Sequence, residues 1–104
     1  KDGTKRMLYI KSGNLCAWCK QTLVYSNSSN LSEICHIEAV NEDGARYNPN
    51  LTNEYVNSYE NLILLCANCH TFADNKLNEN VCSVEMLKRM KCAHEQWVEE
   101  SLME

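Results

Sequence analysis

Asn61-Leu62-Ile63-Leu64-Leu65-Cys66-Ala67-Asn68-Cys69-His70 is the stretch that decides how this chain folds. Its apolar run, Leu62 to Leu65, is short and continuous, which fits a strand buried on both faces. Cys66 and Cys69 then form a tight knuckle, and Asn68 through about Lys76 reads as a helix starting inside it. A second knuckle stands far upstream at Cys16-Ala17-Trp18-Cys19. Two C-x-x-C pairs in 104 residues predict one zinc held by Cys16, Cys19, Cys66 and Cys69 in a reducing compartment. Disulfides within each pair, scattered buried thiols, or His70 replacing one cysteine are the other readings of the same residues. Such an ion pins distant segments together, and in a small core its binding energy becomes folding energy.

Outward from the knuckles, Met7, Leu8 and Ile10 belong to a helix stopped at Ser12-Gly13-Asn14. Ser26 to Asn30 is a polar turn. Leu31 to Val40 reads as a short strand running into a loop, with Ile34 and Ile37 as its apolar contacts. Asn41 to Asn57, with Gly44 and Pro49, is a loop long enough to be functional. Ser83 is a helix N-cap, and Val84, Leu87, Met90, His94, Trp97 and Val98 keep helical spacing after it. The expected order is helix, knuckle, strand, loop, strand, knuckle, helix, helix. We expect one domain over 1–104, with its core at about 15–76 and a packing helix at about 83–101. The chain does not begin with Met, so it is expected to be a piece of a larger protein.

Composition narrows the function classes. A hydrophobic fraction of 44% with 23% charged residues is globular, not disordered. No apolar stretch nears the ~20 residues of a membrane helix, and the polar start Lys1 to Arg6 does not suit a signal peptide. A cytoplasmic location is the expectation. Seven cysteines are an odd count for a disulfide scaffold. Cys35, Cys82 and Cys92 are then small buried thiols, and His94 is a packing residue on the last helix. Cys66 to His70 also satisfies C-x-x-C-H, but a haem attachment site leaves the other knuckle idle. A thioredoxin-like site at Cys16 to Cys19 lacks the βαβ pattern around it. The net charge of −4 is not the footprint of a protein held to nucleic acid by electrostatics alone. Basic residues do cluster at Arg46, Lys76, and Lys88, Arg89 and Lys91, the last three being most simply a solvated helix face.

Read together, Cys35-His36-Ile37, Asn61-Leu62, and Leu65-Cys66 through Cys69-His70 resemble the HNH endonuclease family. The resemblance is to the subgroup whose ββα-metal finger is tied by two C-x-x-C knuckles, and it covers roughly Leu15 to Asn75. Gly44, Arg46 and Tyr47 are similar to a G-x-R-Y stretch in members associated with bacterial anti-phage systems. It implies an α+β fold, a small ββα-metal (His-Me finger) domain with a structural Cys₄ zinc and flanking helices. It also implies metal-dependent hydrolysis of phosphodiester bonds in DNA. His36 is then the general base, and Asn61 holds the loop that positions it. His70, with Asp74 one turn on, holds a catalytic Mg²⁺ or Mn²⁺, and Arg46 is the candidate phosphate contact. The chemistry is apt, because imidazole works as a base near neutral pH and a divalent cation stabilises phosphate charge. The plainer readings are a hydrogen-bonded His36, a turn residue at Asn61 and a solvated Asp74. One position departs from the pattern. Many members carry an aspartate or histidine metal ligand just before the catalytic histidine, and here that residue is Cys35, which favours a softer ion than magnesium if it ligates. Glu38 and Asp43 are alternative oxygen donors. The acidic balance implies that further domains or protomers supply affinity for DNA. The competing class is a zinc-stabilised binding module without catalysis.

Overall fold

A computed structural model describes residues 2–103. The chain forms α1 (Asp2–Ser12), β1 (Ser32–His36), α2 (Asn53–Val56), β2 (Leu62–Cys66), α3 (Ala67–Asp74) and α4 (Val84–Leu102). Single 3₁₀ turns at Tyr59–Asn61 and Lys76–Asn78 lead into β2 and out of α3. β1 and β2 pair antiparallel, with Cys35 opposite Ile63 and His36 opposite Leu62. α1 and α3 both pack on β2, so all five of its residues are buried, as the unbroken apolar run requires. With Leu8, Leu23, Ile37 and Leu87 they make up the core. Among the described residues no helix is long and apolar enough to cross a membrane.

The caps fall where their chemistry puts them. Ser83 accepts from the Met86 N–H and starts α4. Gly13 ends α1 at φ +61°, and a Cβ there would lie 2.9 Å from Val98 Cγ1, so its lack of a side chain lets α4 approach. The stripe of α4 that faces inward is Leu87, Lys91, His94 and Val98. Lys91 is therefore not on the solvated face expected for it. Its ammonium sits 3.7 Å from the centre of the Tyr59 ring and 2.8 Å from Glu95 Oε2.

β1 ends at His36, as a short strand running into a loop predicts. The Ile37 N–H still donates to the Asn61 carbonyl, and the Glu38 N–H donates to the Asn61 side chain instead of to main chain. The long loop is pinned by a bridge between Ala39 and Tyr47, and it includes α2, capped by Thr52.

Buried His94 ties α4 to the end of α1. Its Nε2 lies 3.0 Å from the Ser12 carbonyl, and Lys20 Nζ lies 2.6 Å from its Nδ1. A neutral ring that donates from Nε2 and accepts at Nδ1 satisfies both partners. Burial first, and the Lys20 charge with it, hold His94 below the ordinary imidazole value, against the opposing hydrogen bond to Ser12. The unfolded chain therefore takes up this proton at a higher pH than the folded one. Stability from neutral His94 is complete above the unfolded value, about 6.5, and is lost as pH falls below it. Melting temperature should drop between pH 7.5 and 5.5, and His94→Gln should flatten that slope. Equal slopes in the two proteins would contradict the assignment.

Candidate active site

The first knuckle is shaped by main-chain hydrogen bonds. Cys16 N–H donates to the Gln21 carbonyl, Lys20 N–H donates to the Cys16 carbonyl, and Lys20 takes φ +67° to close the turn. The N–H groups of Trp18 and Cys19 point at Cys16 Sγ, at 3.4 and 3.5 Å. Trp18 meets Phe72 of α3 edge-on, with ring centres 5.8 Å apart. The second knuckle lies where β2 becomes α3, with Cys66 as the residue preceding the helix. The four sulfurs of Cys16, Cys19, Cys66 and Cys69 lie within 4.8 Å of one another, and those of Cys19 and Cys66 are 3.7 Å apart. A tetrahedral zinc with 2.3 Å bonds to sulfur has edges of about 3.8 Å, so the donor set fits that ion. Burial pushes the Cys16 thiol up, but N–H groups of Cys19, Cys66 and Trp18 outweigh it and bring its pKa below the ordinary thiol value. Burial, then the neighbouring sulfurs, push Cys69 up. One thiolate is thus favoured by the backbone, and a cation is needed to favour the rest.

A second group of donors lies between the end of β1 and α3. His70 is one turn into α3 and Asp74 four residues on, on the same helix face. His70 Nε2 is 2.8 Å from Asp74 Oδ2. His70 Nδ1 is 3.1 Å from Glu33 Oε1, a carboxylate that the sequence reading did not single out. Glu33 and Cys35 are two apart on β1, the strand period, and both reach α3. That period was the signal by which Glu33 could have been found. Cys35 Sγ lies 3.6 Å from Asp74 Oδ1, and one atom from each of Cys35, His70 and Asp74 falls within 4.8 Å of the others. Burial, then the Asp74 charge, push the Cys35 thiol up to about 12, with Arg46 opposing.

His36 closes β1 and is half-buried, its Nε2 2.9 Å from Asn57 Oδ1. No local pattern marks Asn57, a loop residue brought there by the turn after α2. His36, Glu38 and Asp74 line one cleft of about 220 Å³, walled by the loop from Ala39 to Ala45. Asp43 is not among its lining residues. Glu38 is engaged elsewhere, accepting from Asn48 Nδ2 at 2.9 Å, with Lys88 Nζ at 4.0 Å.

Asn61 is fully buried behind this cleft. Its Oδ1 accepts from the Glu38 N–H at 2.9 Å, and its Nδ2 donates to the carbonyls of Glu38 and Val56 at 3.1 and 2.9 Å. The side chain thus clasps the chain two residues past His36. Each of these groups left unpaired in the interior costs about 1–3 kcal/mol.

Arg46 lies elsewhere than a phosphate contact requires. It is 6% exposed, and its guanidinium is spent on protein. Nε donates to the Ile37 carbonyl at 2.6 Å, Nη1 to those of Ala73 and Cys82 at 2.7 and 3.2 Å, and Nη2 to that of His36 at 3.2 Å. Nη2 also lies 3.4 Å from Asp74 Oδ1. Five donors in a rigid fork suit this many acceptors, where a lysine could not reach them. The side chain therefore binds the end of β1 to the end of α3 and to the residues before α4, instead of meeting solvent.

Two antiparallel strands followed by a helix, with donors on strand end and helix, define a ββα-metal domain. The family described as HNH endonuclease matches residues 16–77, more than half of the chain. The chain belongs to the HNH endonuclease family, and with it to a class of nuclease domains. A search of curated proteins gives no match.

Proposed function

We propose that this chain hydrolyses phosphodiester bonds in DNA as a metal-dependent endonuclease, with His36 as general base and His70 and Asp74 as ion ligands. The observation that carries the reading is the cleft shared by His36 and Asp74, with His70 hydrogen-bonded to the same carboxylate. His36, with Nε2–H donating to Asn57, keeps the Nδ1 lone pair for a proton from the attacking water. Asn61 fixes the main chain just past His36, and Arg46 holds the His36 carbonyl and Asp74 in one frame. Glu33 accepts from His70 Nδ1–H, and an ion between Nε2 and Asp74 would replace the hydrogen bond that joins them, with both groups as its ligands. A divalent ion, Mg²⁺ or Mn²⁺ on the family's precedent, supplies the positive charge that phosphate and leaving oxygen need. Among the described residues, the cleft lining carries no lysine or arginine that could do this instead.

The Cys₄ cluster takes a zinc in a closed, structural site. DNA is the substrate, and a further domain or second protomer supplies affinity that a chain of net charge −4 lacks. Work as the effector of a restriction or anti-phage system is the setting we propose, and Gly44, Arg46 and Tyr47 are its support.

Plasmid nicking by the zinc-loaded protein tests this. Cleavage should require an added divalent ion beyond the Cys₄ zinc, and EDTA should stop it before that zinc is lost. His70→Ala should abolish turnover, while Asp74→Ala should raise the ion concentration needed. Full activity with only the Cys₄ zinc present would remove the mechanism. No cleavage with any divalent ion would leave a zinc-stabilised binding module.

A further inference from the structure

We propose that Cys35 is the third donor of the ion site at His70 and Asp74, and that its sulfur makes this a site for a thiophilic divalent ion of the zinc and cobalt class, in preference to magnesium. The inference rests on the reading of His70 and Asp74 as ligands, and adds the remaining donor and the ion it selects.

The geometry points there. Cys35 is fully buried, and its sulfur is directed at Asp74 from the strand side while His70 reaches the same carboxylate from the helix side. The 3.6 Å between Cys35 Sγ and Asp74 Oδ1 is close to the separation of about 3.5 Å that a tetrahedral ion sets between sulfur and oxygen ligands. Arg46 Nη2, 3.8 Å from the sulfur, places a fixed positive charge where a thiolate has to be held. Glu33 on Nδ1 directs Nε2 of His70 toward the other two donors. Half-exposed Asp74 borders the cleft, so the outer side of the site stays open, unlike the Cys₄ cluster.

The donor chemistry decides the ion. Magnesium demands octahedral oxygen ligands and has little use for sulfur. Thiolate, imidazole and one carboxylate together suit zinc or cobalt. Oxygen donors that could replace the sulfur are Glu33 and Glu38, and both are already engaged, with His70 and with Asn48.

Cobalt spectroscopy tests this without reference to cleavage. Protein carrying one equivalent of zinc is titrated with Co²⁺, and the near-ultraviolet thiolate-to-cobalt band is followed. A second equivalent should bind with such a band, and millimolar Mg²⁺ should not displace it. Cys35→Ser should lose the band and bind cobalt about tenfold or more weakly, with zinc content unchanged. His70→Ala should lose the second equivalent. Cobalt bound without the band, its displacement by magnesium, or equal binding by Cys35→Ser would overturn the proposal and leave His70 and Asp74 as ligands. A His70→Ala protein that binds cobalt as wild type does would instead remove the reading beneath it. Should Cys35→Ser not fold, the wild-type band and the magnesium competition decide.

Discussion

His36→Ala should lower plasmid nicking by about a hundredfold to ten-thousandfold, the span that a positioned general base contributes, while zinc content and melting temperature stay near wild type. The side chain is half-buried, and the one side-chain partner it would leave behind is Asn57, a loop residue with water to turn to. The strand does not depend on the ring either. What Arg46 grips at this position is the His36 carbonyl, which alanine keeps. The loss should appear in kcat at saturating ion, because the ion ligands on α3 are untouched. Cleavage within a few-fold of wild type would take the role of base away from His36. A large fall in melting temperature would move the residue into the core instead.

Loss of the Cys₄ ion should have the larger effect on the fold. Cys16→Ser is expected to give a protein that is unfolded or aggregated at 25 °C, seen as loss of the cooperative melt. Binding of a structural zinc is on the order of 10 kcal/mol, comparable with the whole stability of about 5–15 kcal/mol that a domain has. Cys16 is buried, and the knuckle around it touches β2 through the Ala17 N–H to the Leu64 carbonyl. A failed knuckle thus exposes the central strand. A Cys16→Ser protein that melts cooperatively without zinc would show that the hydrophobic core suffices alone.

The parts of this fold that were legible in the sequence are those with local causes. The two knuckles follow from cysteine spacing, β2 from an unbroken apolar run, and α4 from Ser83 and its stripe. The clustering of four cysteines from residues 16–69 could be anticipated because one tetrahedral ion needs four donors. Arg46 was misplaced for the opposite reason. A basic residue in a polar loop reads as solvated, and its burial rests on carbonyls at Ile37, Ala73 and Cys82 that only the tertiary fold brings together. In the candidate site, His36, His70 and Asp74 announced themselves as residue types in a known order. Glu33 and Asn57 did not, because they matter through what they touch.

The pairing of His36 with Leu62 has a consequence for synthesis of the chain. Everything on the amino side of the loop, His36 included, leaves the ribosome before the strand that completes the sheet and the helix that carries His70 and Asp74. Arg46 finds one of its carbonyls only when Cys82 has emerged. A half-made chain therefore holds His36 without the cleft that it lines together with Asp74 once α3 has formed.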